Sequence, residues 1–327
     1  MPKQVEASFQ AASALSVGMR DHQEDAVVSD FPVGSDMGLV VLADGMGGHA
    51  AGDIASTIVM TEVYSELKFQ SSAPEAMIGN INSVLLSAAA NANDCLRDHV
   101  LENPGASGMG ATLVAAVIYK SQLSWISIGD SPLYLFRDGV LKQLNEDHSM
   151  APQIDFMVDS GLMDSEVGRD HPDRNCLTSV LAGDEIARID CPAQPVDLVD
   201  GDILLVSSDG LQFLGDENIQ STLAKMSDAE ANDIAGQFLE EIDELDDPYQ
   251  DNVSMSVIKV HLNGVDSARV PTRPMYVAAD TADATRGAGV SKMPQRIHLS
   301  NTANGTGTNG VGPMVLMHPL TSADRQK

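Results

Sequence analysis

ATLVAAVIYKSQLSWISIGDSPLYLFRDG, residues 111–139, reads as three apolar runs separated by short polar interruptions. Residues 111–119, 123–128 and 132–136 each have the length of one strand and fall short of a helix. Tyr119-Lys120-Ser121-Gln122 leaves room only for a tight turn between the first two runs. Asp138-Gly139 is a hairpin dipeptide, because both residues tolerate positive φ. Strands joined this closely are antiparallel, since parallel neighbours need a long crossover. A doubly wound parallel fold is disfavoured.

Working outward, residues 40–43, 203–206 and 253–260 add strands of the same apolar kind. Helical periodicity fills the gaps. Ile54, Ile58 and Ala55, Val59, Val63, Leu67 recur at i+4, with Asp53 or Ser56 as a candidate cap. Met77, Ile81, Val84, Leu85, Ala88, Ala92, Cys95, Leu96 and His99 trace one face of a second helix, so Cys95 and His99 read as core-side residues rather than ligands. Residues 216–225 and 228–245 predict two more helices. This inventory points to an α+β fold: a central antiparallel β-sandwich flanked by α-helices on both faces.

The pattern stops near residue 260. Residues 1–263 form the expected domain. Residues 264–327, rich in Thr, Ala, Gly, Asn and Pro, read as a disordered low-complexity tail, in which Met314-Val315-Leu316-Met317 is an isolated apolar patch. The tail holds seven of the 19 basic and four of the 47 acidic residues, which leaves residues 1–263 with 12 basic, 43 acidic and a net charge of −31. So acidic a body repels nucleic acid and anionic lipid and attracts divalent cations. No run reaches membrane-spanning length, and residue 6 is a Glu with no apolar segment beside it, so neither a span nor a signal peptide is expected. Three cysteines, Cys95, Cys176 and Cys191, without a CxxC pair suggest reduced thiols and a cytoplasmic setting.

The informative feature is repetition at strand ends. Asp44-Gly45 follows residues 40–43, Asp209-Gly210 follows 203–208, Asp130 follows 125–129, and Asp251-Asn252 precedes 253–260. Asp-Gly taken singly is ordinary turn chemistry. Four carboxylates delivered to one edge of a sheet would repel one another unless cations compensate, and oxygen-only donors suit Mg²⁺ or Mn²⁺. The glycine-rich loop 44–52 carries no Gly-Lys-Ser/Thr, so it is not a nucleotide P-loop. Upstream, Gly18-Met19-Arg20-Asp21-His22-Gln23-Glu24-Asp25 offers Arg20, whose fork suits phosphate oxygens.

In this order, Arg20, Glu24-Asp25, Asp44-Gly45-Met46-Gly47-Gly48, Gly110-Ala111-Thr112, Gly129-Asp130-Ser131, Ser208-Asp209-Gly210 and Asp251-Asn252 resemble the motifs of the type-2C, or PPM, serine/threonine phosphatases, bacterial branch, over about residues 10–260. The resemblance implies a metal-dependent protein phosphatase that hydrolyses phosphoserine or phosphothreonine through in-line attack by a hydroxide shared between ions. It implies that Asp44, Asp209 and Asp251 hold a first Mn²⁺ or Mg²⁺. Asp44 and the Gly45 carbonyl would hold a second, with Glu24 reaching it through water, and Asp130 with Asp209 a third, weaker ion. Arg20 would grip the substrate phosphate. The catalytic set is thus Arg20, Glu24, Asp44 and Asp209, and residues 150–183 resemble the family's flap. Three positions depart from the pattern: Gln23 for Asn, Pro132 for Arg, and Met46 where eukaryotic relatives carry a proton-donating His. The expected proton donor is then water on a metal, with His49 and His22 as further candidates.

A cysteine phosphatase needs Arg six residues after its Cys, and Leu101, Ala182 and Asp197 stand there instead. A non-catalytic phosphoprotein-binding pseudophosphatase is the alternative, opposed by the complete set Asp44, Asp209 and Asp251. A phosphatase dedicated to anti-anti-sigma factors would carry sensor domains that are not evident. Expected partners are phosphorylated proteins, including a Ser/Thr kinase or its targets.

Overall fold

The computed structural model describes residues 7–47 and 51–262 and the backbone of 296–300. In chain order the elements are β1 (Ala7–Ser16), β2 (Asp25–Asp30), β3 (Met37–Met46), α1 (Ala51–Gln70), α2 (Pro74–Gly79), α3 (Ile81–Glu102), β4 (Gly110–Ala111), β5 (Leu113–Tyr119), β6 (Gln122–Ile128), β7 (Leu133–Arg137), β8 (Val140–Gln143), α4 (Ala151–Asp159), α5 (Ser165–Arg169), β9 (Val196–Asp197), β10 (Ile203–Ser207), α6 (Asp216–Lys225), α7 (Ala231–Leu245), β11 (Val253–Leu262) and β12 (Arg296–Ser300). One sheet runs β12-β1-β11-β10-β7-β8 and the other β2-β3-β5-β6-β9, with β4 on β3. The strand pairs are antiparallel.

Both hairpins of the 111–139 stretch form. Tyr119 pairs with Gln122 across a turn in which Lys120 has φ 56°. Asp138 and Gly139 take φ 52° and 82°, as a two-residue primed turn requires.

The strands read as unbroken apolar runs because both faces are covered. In β3, Leu39, Val41 and Ala43 face a layer with Ala55, Val59, Val63 and Leu67 of α1 and Leu85, Ala88 and Leu96 of α3. Val40 and Leu42 point the other way, into the space between the sheets, against Leu133, Leu204, Val206, Ile258 and Val260. On the far side, Tyr134, Leu205 and Val257 pack under Ile219 and Leu223 of α6 and Ile234, Phe238 and Ile242 of α7. The result is the expected four-layer α-β-β-α sandwich.

Several local expectations shift. The face traced from Met77 to His99 is split at Asn80 into α2 and α3. Cys95 and His99 are half-buried, at the margin of that face rather than in the core. Asp53 and Ser56 do not cap α1, which has already begun at Ala51; the Ser56 hydroxyl donates to the Asp53 carbonyl at 3.1 Å. Strand β1 was not legible, because its Ala- and Ser-rich sequence has little strand propensity. It is held by ten residue pairs with β11, from Ala7↔Leu262 to Ser16↔Val253. Within the stretch read as a tail, Arg296–Ser300 adds an edge strand on β1, from Ser16↔Arg296 to Ala12↔Ser300. The rest of residues 264–327, including the 314–317 patch, lies outside the described residues, as do Gly48 and His49. Among the described residues no helix is long and apolar enough to cross a membrane.

Phe238 is fully buried where α7 meets the first sheet. Phe238→Ala should cost about 3–5 kcal/mol through lost burial and the cavity left behind. The measurement is the urea midpoint, which should fall with the slope unchanged.

Candidate active site

The two sheets deliver carboxylates to one end of the sandwich. From the first sheet, Asp209 follows β10 and Asp251 precedes β11. From the second, Asp25 opens β2 directly across from Asp44 on β3, Glu24 stands just before it, and Asp130 follows β6. Arg20 lies on the connection from β1 to β2.

These groups share one electrostatic environment. Asp44 is held well above the usual carboxylate range, first by burial and then by the charges of Asp25, Asp209, Asp130 and Asp251. Burial and the neighbouring Asp251 raise Asp209, although a hydrogen bond from Asp44 opposes the rise. Burial, then Asp209 and Asp147, push Asp130 up to about 7. Burial also raises Glu24, against the pull of Arg20. The expected residues Asp44, Asp130, Asp209 and Asp251 thus lie within one another's fields, although the sequence separates them by up to 207 positions.

Arg20 donates from Nη2 to Oδ2 of Asp251 at 2.5 Å. It therefore engages a carboxylate expected to be a metal ligand. His22 is exposed on the same connection, and its carbonyl accepts from Asn252 Nδ2 at 3.0 Å.

The backbone is packed tightly around the acids. A Cβ on Gly45 would stand 2.0 Å from the Gly52 carbonyl oxygen and 2.5 Å from that of Glu24. One on Gly210 would stand 1.9 Å from the Asn252 oxygen. Neither glycine has positive φ, so what each supplies is close approach of neighbouring chain segments rather than left-handed backbone, although Asp209-Gly210 also opens a 3-10 turn in which the Leu211 amide donates to the Ser208 carbonyl.

Four further residues complete the site. Asp25 is buried, accepts from the Ser208 hydroxyl at 2.7 Å, and so ties the two sheets together. Its pKa is raised by burial and by Asp209, with the Ser208 hydrogen bond opposing. Asn252 accepts from the Glu24 amide at 2.6 Å and donates to the Val17 carbonyl at 2.9 Å. Thr112 accepts from the Asp44 amide at 3.0 Å and contacts the Ser131 hydroxyl at 2.8 Å. Asp25, Thr112, Ser208 and Asn252 belong to the quoted motifs, yet their sequence neighbourhood assigns them no task. Adjacency to Glu24, Asp209 and Asp251 was the available signal for three of them.

As placed, no three His, Cys, Asp or Glu side chains among the described residues form a ready cage around one point. Arg20 takes up one oxygen of Asp251. The donor chemistry nevertheless fits a hard divalent ion: every candidate is an oxygen, and the carboxylates are crowded enough to call for cationic compensation.

Asn252→Leu should strand the Glu24 amide and the Val17 and His22 carbonyls together. The exposed His22 carbonyl can turn to water, so at about 1–3 kcal/mol for a buried group left unpaired the half-buried Glu24 amide and Val17 carbonyl should together lower stability in chemical denaturation by about 1–3 kcal/mol.

The profile described as Protein phosphatase 2C matches residues 19–242. The chain is 31% identical over 210 residues to the serine/threonine phosphatase stp of Listeria welshimeri, covering 63% of this chain and 79% of that one. It is 34% identical over 187 residues to the serine/threonine protein phosphatase PstP of Mycobacterium tuberculosis, covering 57% of this chain and 34% of PstP. The solved catalytic domain of PstP, in complex with two manganese ions, superposes with a TM-score of 0.62 at 29% identity, over 78% of this chain and 99% of that domain. The antiparallel sandwich, the order of its acidic motifs and the match across residues 19–242 agree, and the chain belongs to the protein phosphatase 2C family.

Proposed function

We infer that this protein is a metal-dependent protein serine/threonine phosphatase. The observation that carries the reading is the meeting of Asp44, Asp130, Asp209 and Asp251 from both sheets at one end of the sandwich, with Arg20 beside them. The manganese reported for the PstP domain supports Mn²⁺ or Mg²⁺ here. Asp44, Asp209 and Asp251 are the proposed holders of the first ion, Asp44 and the Gly45 carbonyl of the second with Glu24 nearby, and Asp130 with Asp209 of a third. Bound divalent ions supply Lewis-acid charge to the phosphoryl oxygens and lower the pKa of water.

The chain's own residues orient and bind. Arg20 is more than half exposed, and its planar fork can turn from Asp251 to two oxygens of a phosphate. Gly45, held between Glu24 and the start of α1, fixes the direction of its carbonyl. Thr112 and Asn252 hold the main chain at Asp44 and Glu24, so the carboxylates need little reorganisation. Met46 is exposed at the end of β3 and carries no proton to give. Protonation of the leaving oxygen is therefore assigned to solvent at the site.

Phosphorylated proteins are the proposed substrates, with a Ser/Thr kinase or its targets among them and a role in signalling. The free cysteines Cys95, Cys176 and Cys191 support a cytoplasmic setting. Purified protein should hydrolyse p-nitrophenyl phosphate and phosphothreonine peptides with Mn²⁺ and lose that activity in excess EDTA. Binding without turnover would favour the pseudophosphatase reading instead.

Two variants test the assignments. Asp209→Asn should abolish turnover and also the rise in melting temperature that Mn²⁺ confers on the wild type, a readout independent of catalysis. Arg20→Ala should raise KM for phosphopeptides at least tenfold, and Arg20→Lys should do so less. Because Arg20 now occupies Asp251, Arg20→Ala should bind Mn²⁺ no more weakly than wild type in a calorimetric titration.

A further inference from the structure

We propose that His148 is a positioning residue that locks Gly129, and through it Asp130, to the root of the 150–183 segment. The inference rests on the phosphatase reading and assigns a role to a residue outside the acidic motifs.

His148 is fully buried, which is unusual for a histidine on the connection after β8. Two hydrogen bonds join it to Gly129. The Gly129 amide donates to the His148 Nδ1 at 3.2 Å, and the His148 amide donates to the Gly129 carbonyl at 3.1 Å. An Nδ1 that accepts belongs to a neutral ring carrying its proton on Nε2. Burial lowers the imidazole pKa and keeps the ring in that state.

Gly129 cannot yield on its other side. Its φ is +105°, and a Cβ there would stand 2.6 Å from the Thr112 methyl group. Thr112 is the residue that holds the Asp44 amide. Gly129 is therefore wedged between the His148 ring and the side chain that steadies Asp44, and Asp130 follows it directly.

The carbonyl of His148 faces the other way. It accepts from both the amide and the hydroxyl of Thr178, at 2.7 and 2.8 Å. The next residue, Ser149, forms a bridge with Leu177, and the Met150 amide donates to Cys176 at 3.0 Å. The 150–183 segment thus leaves and returns at the same point, and His148 is the side chain there that reaches the Asp130 connection. Movement at this root reaches Gly129 through both hydrogen bonds, of which the one to the buried Nδ1 is the one a side-chain substitution removes.

Three substitutions separate positioning from mere packing. Asn places a side-chain oxygen near the Nδ1 position and can still accept from Gly129. Gln places its oxygen nearer the Nε2 position and cannot reach. Leu fills the space with no acceptor. With p-nitrophenyl phosphate and Mn²⁺, His148→Leu and His148→Gln should each lower kcat at least tenfold with KM changed less than threefold. Their Mn²⁺ affinity, read by calorimetry without substrate, should fall several-fold. His148→Asn should retain most of both, even if its melting temperature falls as far as that of the Gln variant.

Wild-type activity together with equal kcat and Mn²⁺ affinity in the Asn and Gln variants overturns the positioning role. So does a loss that follows melting temperature alone. A wild type inactive with Mn²⁺ refutes the phosphatase reading itself, a distinguishable result. If His148→Leu is not recovered folded, the Asn and Gln pair decides.

Discussion

The rest of this molecule depends on keeping like charges together. Burial raises the pKa of Asp25, Asp44, Asp130 and Asp209, and the charges of Asp25, Asp130, Asp209 and Asp251 raise those of neighbouring acids further. An arrangement this unfavourable persists only where the surrounding structure over-determines it. Thr112, Ser208 and Asn252 do so by hydrogen-bonding the main chain and Asp25, the buried one of these acids. Their task is to hold the acids still, which leaves the remaining carboxylate oxygens available to cations.

The layered architecture supplies that rigidity. Each sheet is packed on both faces, so the strand ends that carry Asp44 and Asp209 cannot drift without disturbing two apolar layers at once. The Asp25–Ser208 hydrogen bond crosses from one sheet to the other at the site end. The distance between the acids of the two sheets is therefore set by side chains packed far from them, such as Val40, Leu42 and Ile258.

The charge of the body bears on substrate binding. Residues 1–263 carry a net charge of −31, and a phosphoryl group is itself anionic. The field of the body repels that group at long range, and salt weakens the repulsion only beyond about 8 Å at physiological ionic strength. Affinity must come from contacts inside that distance. Arg20 and ions bound by the acids suit that need, and the pairing of Arg20 with Asp251 keeps the guanidinium at the place where phosphate is expected.

Residues 111–139 determined by themselves that the sheet is antiparallel, because two-residue turns permit nothing else. The Asp residues at strand ends likewise marked the acidic site, because a strand end is a fixed address in any sheet. Strand β1 was invisible: its Ala-rich sequence favours no strand, and only the ladder to β11 makes it one. The sequence also could not decide what the glycines after Asp44 and Asp209 are for. A dipeptide shows turn chemistry but not close approach, which is seen only in the Gly52 and Asn252 carbonyls packed behind the two glycines. Nor could it assign Asp25, Asn252 or His148 a task, since each acts on a partner remote in the chain or across a layer. Local chemistry is written in neighbouring residues; the pairing of distant ones is settled by which faces the core buries.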